Sequence, residues 1–232
     1  QLAVRAGRDT AVVLTTPGAQ KWYRSSDGRV AAVETRLVLE EGAALDWLPQ
    51  PSILFDGARA SQALVVEMAA TATTVGWEMM VRGRAAMGEQ WRSGTLDQRL
   101  AIEVDGRPWW QQRLLAEAGD RLFASPLGWR DRRCAVAVWH CAPSGTRAET
   151  EALRDRWRAR LAARPAEEVG IGEGGKDVGG MGDRGMGDAT AVCDGLVLAQ
   201  MLGDDIEALQ TQAMALWQLV RDWASLPRIW QT

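Results

Sequence analysis

Over the first 140 residues, apolar and polar positions alternate with a period of two and are interrupted often by turn residues. Leu96–Val104 shows this best, with Leu96, Leu100, Ile102 and Val104 on one side and Asp97, Arg99 and Glu103 on the other. That is the signature of a half-buried strand. Asp105-Gly106 follows at once, a dipeptide that tolerates the positive φ of a tight turn. Asp27-Gly28 and Asp194-Gly195 carry the same signal. Further strands are predicted over Ala11–Thr15, Val30–Glu40, Ala43–Leu48, Ala63–Met68, Thr73–Val81 and Cys134–His140. Many short strands between turn signals give a mainly β fold: a sandwich-like stack, a barrel or a β-helix. No repeat of fixed length selects one of these.

The period becomes helical in two C-terminal segments. From Ala148 to Ala163, Leu153, Trp157 and Leu161 form one apolar stripe, and Thr146 with Glu149 has capping-box spacing. The arginines here (Arg154, Arg156, Arg158, Arg160 and Arg164) invite comparison with a nucleic-acid patch. Glu149, Glu151 and Asp155 are interleaved with them, so a solvated face of mixed charge is the simpler reading. From Asp205 to Trp223, Ile206, Leu209, Ala213, Leu216, Val220 and Trp223 form a continuous seam. The seam packs on the sheet or meets a partner helix. Between the helices, residues 167–188 hold nine glycines and read as a flexible, Gly-rich surface insertion.

Composition narrows the function classes. The 232 residues are 47% hydrophobic and 25% charged, ordinary for a globular protein. A net charge of −3 provides no basic field for nucleic acid or anionic lipid. No segment approaches the roughly 18 consecutive apolar residues of a membrane span. The three cysteines, Cys134, Cys141 and Cys193, lack C-x-x-C spacing, which argues against a disulfide framework and for a cytoplasmic protein.

The chemical motifs are incomplete. Gly170–Lys176 approaches a phosphate-binding loop, but Asp177 stands where a Ser or Thr should hold magnesium, and no buried strand leads in. His140, with Cys134 and Cys141 nearby, has soft-metal ligand types, but a strand end with two buried thiols is the simpler reading. No G-x-S-x-G elbow accompanies His140. Paired carboxylates such as Glu78 with Glu89 would be the basis of a carboxylate-based hydrolase, if they met. The expectation is a non-catalytic scaffold with no tightly bound cofactor.

Four further segments carry more. Thr16–Ser25 runs T-T-P-G-A-Q-K-W-Y-R-S from Thr15, with a Pro-Gly turn favouring type II geometry. Leu45–Gln50 reads L-D-W-L-P-Q, and Trp77–Glu89 contains Trp77-Glu78, Gly83-Arg84 and Gly88-Glu89. Pro227–Thr232 reads P-R-I-W-Q-T. In this order the four segments resemble the urease accessory protein family called UreD or UreH, and they span nearly the whole chain as one domain, 1–232. The resemblance implies a β-helix-like fold with two attached helices. It also implies a chaperone-like scaffold for urease maturation that binds apo-urease subunits and other accessory proteins, including a GTPase. Nickel insertion is part of that role, with transient Ni2+ carried past acidic residues, since oxygen ligands bind nickel weakly enough to release it. By motif position, Glu78 is the first candidate for such a nickel path and Glu89 the second. The matched motifs make Lys21, Tyr23, Arg24, Pro49, Gln50, Arg84, Arg228 and Trp230 candidates for partner binding or architecture. A Glu-Arg pair expected from the family stands here as Gln112-Arg113, removing one candidate carboxylate. The family also implies a glycine-rich section before the first residue. A β-rich binding module with no nickel role is the alternative.

Overall fold

Strand register, more than any local signal, defines the architecture of the computed structural model, which describes residues 1–84, 87–163 and 185–221. In chain order the strands are β1 (Leu2–Ala6), β2 (Ala11–Thr15), β3 (Gln20–Trp22), β4 (Ala31–Leu39), β5 (Ala44–Leu48), β6 (Ser52–Leu54), β7 (Arg59–Met68), β8 (Thr73–Arg82), β9 (Thr95–Val104), β10 (Arg107–Glu117), β11 (Cys134–Cys141), β12 (Met186–Cys193) and β13 (Leu196–Gly203). The helices are α1 (Arg121–Ala124), α2 (Arg147–Ala162) and α3 (Ile206–Val220).

The chain winds alternately through two facing sheets. One has the order β1-β4-β7-β9-β10; the other runs β12-β13-β11-β8-β5-β2, with β3 and β6 joining beside β8. Pairings among β1 to β9 are parallel, as successive coils of a β-helix require. β10 closes the first sheet as an antiparallel hairpin with β9, and β11, β13 and β12 extend the second antiparallel. The mainly β, β-helix-like expectation with C-terminal helices therefore holds.

The repeat escapes a period search because the coils differ in length. Thr35 pairs with Leu2 and Leu64, and Leu64 with Leu100, giving steps of 33, 29 and 36 residues. Parallel pairing constrains only the strands, so the corners absorb the difference. The Asp105-Gly106 turn forms as expected, with φ of 48° and 73°. The Pro17-Gly18 turn does not take type II geometry, because Gly18 lacks a positive φ. Instead the Thr16 hydroxyl donates to the Gly18 carbonyl at 3.3 Å and bends the chain locally.

Core packing follows the two sheet faces. Leu37, Leu64, Val66, Leu100, Ile102 and Trp139 are among the side chains filling the space between the sheets. The outer face of the second sheet, including Val136, Val138 and Met201, packs on Leu153 and Trp157 of α2 and Leu209, Leu216 and Trp217 of α3. The seam from Ile206 to Val220 thus packs on the sheet, and Trp223 lies outside the described residues. The predicted capping box is present: Thr146 Oγ1 accepts from Glu149 N, and Glu149 accepts from Thr146 N at 2.8 Å. A buried ion pair fixes the end of α3, where Arg221 donates to Asp46 Oδ1 at 3.0 Å and Trp217 Nε1 donates to Asp46 Oδ2 at 2.7 Å.

Two expectations need correction. The one-turn helix α1 adds to the two predicted. Met186–Asp188 belong to β12 and not to the glycine-rich insertion, since an edge strand draws its hydrogen bonds from β13 whatever its side chains. Cys134 and Cys141 are buried in different core clusters, so they do not form one soft-metal site with His140. The rest of the insertion, the phosphate-loop-like segment, and Arg228 and Trp230 lie outside the described residues.

Candidate functional site

Strand β8 points Thr74, Gly76, Glu78 and Met80 toward the first sheet. Gly76 is required there: a Cβ would lie 2.5 Å from Trp139 Cζ2 and 2.9 Å from the Trp47 carbonyl oxygen. One step further, Glu78 is 6% exposed. The facing strands supply its partners. Gln62 on β7 and Gln98 on β9 are register neighbours, side by side on the first sheet. Gln62 Nε2 donates to Glu78 Oε1 at 2.8 Å, and Gln98 Nε2 donates to Glu78 Oε2 at 3.0 Å. Ser52 Oγ on β6 donates to Gln62 Oε1 at 2.9 Å and completes the layer.

This polar layer lies where the apolar rows on either side stop. Along β7 the inward series is Ala60, Gln62, Leu64, Val66, Met68; along β9 it is Leu96, Gln98, Leu100, Ile102, Val104. Among the described residues, no cation pairs with the Glu78 carboxylate. Burial pushes its pKa up to about 7, against the two amides, which lower it.

Glu78 also lines two cavities. One of about 860 Å³ is lined by Glu78, Gln98, Trp110, Gln112 and Gln200. The other, of about 290 Å³, is lined by Glu78, Gln62, Ser52, Thr16, Pro49 and Gln50. The substituted position Gln112 therefore stands in the same cavity as Glu78. Gln50 N donates to Thr16 Oγ1 at 2.9 Å and Trp77 Nε1 to the Pro49 carbonyl at 2.9 Å, so three of the sequence segments meet beside the smaller cavity.

Glu89 does not join Glu78. It sits in the loop after β8, salt-bridged to Arg84, and accepts from Asp56 N at 3.2 Å. These contacts hold its carboxyl below the usual range, the Arg84 hydrogen bond foremost. It lines neither of these cavities, so the two carboxylates do not meet in them.

Glu89 belongs instead to a surface cluster built from three distant segments. Tyr23 is 65% exposed and meets Phe55 edge to face at 4.9 Å between centroids. The Arg84 guanidinium lies 4.3 Å over the Phe55 ring. Arg24 pairs with Asp56 at 3.3 Å, and Asp56 accepts from the backbone N–H groups of Arg92 and Ser93, each at 3.0 Å. Lys21 is exposed beside buried Trp22, which anchors the segment in the core. Lys21, Tyr23, Arg24, Arg84 and Glu89 thus belong to one outer surface, while Pro49, Gln50 and Glu78 belong to the interior.

Sequence reasoning missed Gln62 and Gln98. The signal was present for Gln98: it falls in phase with Leu96 and Leu100, so its amide must point inward. Gln62 lay just before the predicted start of its strand. Among the described residues no group of three His, Cys, Asp or Glu side chains gathers, and no helix is long and apolar enough to cross a membrane.

The family model described as UreD urease accessory protein matches residues 1–231. The urease accessory protein UreD of Dechloromonas aromatica is 32% identical over the whole of this chain and 74% of its own length. Those of Nitrosococcus oceani and Methylibium petroleiphilum are 32% and 35% identical, also over the whole chain, with 71% and 78% of their own lengths covered.

Proposed function

The chain belongs to the UreD urease accessory protein family and so has a role in urease maturation; from that premise we infer that it is a cytoplasmic scaffold whose interior conducts nickel. On this reading it holds apo-urease subunits and further accessory proteins, a GTPase among them, on its outside. Nickel is cargo, passed from one cavity to the other by way of Glu78. The observation that carries the reading is a single buried carboxylate, paired among the described residues with no cation, that lines two cavities. One carboxylate among neutral oxygens holds a divalent ion and still releases it, as cargo requires. The surface cluster around Tyr23, Arg24 and Arg84 suits the docking half of the role, with an exposed aromatic and two guanidiniums at fixed positions.

The test separates scaffold from conduit. Glu78→Gln keeps the shape and removes the charge. In cells lacking the native protein, it should lower nickel-dependent urease activation while still co-purifying with apo-urease. Full activation with intact co-purification would support a binding module without a nickel role.

A further inference from the structure

With Glu78 ionised, the hydrogen bonds around it have only one consistent polarity. A carboxylate accepts and cannot donate, so Gln62 and Gln98 must both turn their NH2 groups toward it. Each amide guards a different side: Gln62 lines the smaller cavity and Gln98 the larger. Together they occupy both oxygens of the residue that lines both cavities.

We propose that Gln62 and Gln98 form an amide gate: closed, they clamp Glu78 with their N–H groups, and open, they turn their carbonyl oxygens inward to join Glu78 around a divalent cation. The geometry makes the turn conditional on the ion. Two carbonyl oxygens facing two carboxylate oxygens repel each other unless a cation sits among them. With the cation present, the same four oxygens become ligands. Ser52 keeps a hydrogen bond in either state. Its hydroxyl now donates to Gln62 Oε1 at 2.9 Å, and after the turn it can accept from Gln62 Nε2. The site formed is all oxygen with a single negative charge, hence exchangeable. Gln62 and Gln98 are positioning residues in the closed state and ligands in the open one.

The inference rests on the nickel path proposed above, and the experiment separates the two. Ni2+ is titrated calorimetrically into the purified full chain and into Glu78→Gln, Gln62→Met, Gln98→Met and Gln98→Glu. Methionine keeps the length of glutamine and removes its oxygen. The expected result is Ni2+ binding weakened by about 10-fold or more in each Met variant, as when supporting groups of a metal site are removed. Gln98→Glu should bind more tightly than the native chain, and it tests the gate even where a Met variant fails to fold. Met variants with native affinity beside a weakened Glu78→Gln would overturn the gate and leave Glu78 as the path acid. Tighter binding in the Met variants would reduce the amides to a clamp and also overturn it. Native affinity in Glu78→Gln would remove both gate and path.

Discussion

The Glu78 carboxylate imposes a stability penalty whose size and sign can be worked out. Its pKa stands at 4.5 without perturbation and at about 7 in the folded chain, burial being the main cause. Between those values the folded state holds more protons than the unfolded state. Stability must therefore fall as pH rises through that window, and the full loss is reached above the folded value. At about 1.4 kcal/mol per unit, the total is about 3 kcal/mol. About 2–3 kcal/mol of it falls between pH of about 5 and about 8. Glu78→Gln cannot ionise and escapes the penalty. The assay is urea unfolding of both proteins at the two pH values, followed by tryptophan fluorescence. The stability of the variant relative to the native chain should rise by that amount on going to the higher pH, or ~1 M in urea midpoint. Half-buried His140, with its pKa lowered to about 4, and Asp46, raised by burial, titrate alike in both proteins and cancel. A native-to-variant difference independent of pH would refute the claim that Glu78 is buried as a near-neutral acid.

Other perturbations test the frame around the site. Asp46→Ala leaves the Arg221 guanidinium buried and unpaired and should cost about 3–5 kcal/mol in urea unfolding; a loss below about 1 kcal/mol would show an exposed pair. Gly76→Ala drives a methyl group into Trp139 and the Trp47 carbonyl, so a lower melting temperature is expected, and an unchanged one would mean the sheets can part at this level. Thr146→Ala removes the N-cap of α2 and should cost about 1 kcal/mol. Thr146→Asp, which keeps an acceptor, should restore most of it.

The strands were largely legible because a half-buried strand displays its period in its own residues. Thr73–Arg82 and Cys134–Cys141 match their expected spans within a residue. The β-helix was legible only through family resemblance, because unequal coils erase the period that would reveal it. Half of the site was legible in the same way. Glu78 came from a matched motif, whereas Gln62 and Gln98 are defined by pairing between coils 36 residues apart, which no local pattern encodes. Glu89 looked equivalent to Glu78 in sequence, and only the fold separates a buried acid from one tied to Arg84 on the surface.

The polar layer at Glu78 has a mechanical consequence as well. It divides the interior between the sheets into two apolar blocks, one around Leu64, Val66 and Ile102, the other around Ala60, Leu96 and Met80. Each block is cohesive, but across the layer a few hydrogen bonds replace close apolar packing. β7, β8 and β9 run through both blocks, and outside the inter-sheet space the packing of α2 and α3 on β8, β11 and β13 also joins them. Such a molecule has a natural plane of weakness, and its two ends can breathe as separate cooperative units. Amide hydrogen exchange should find two protection levels along a single strand, changing at residues 62, 78 and 98.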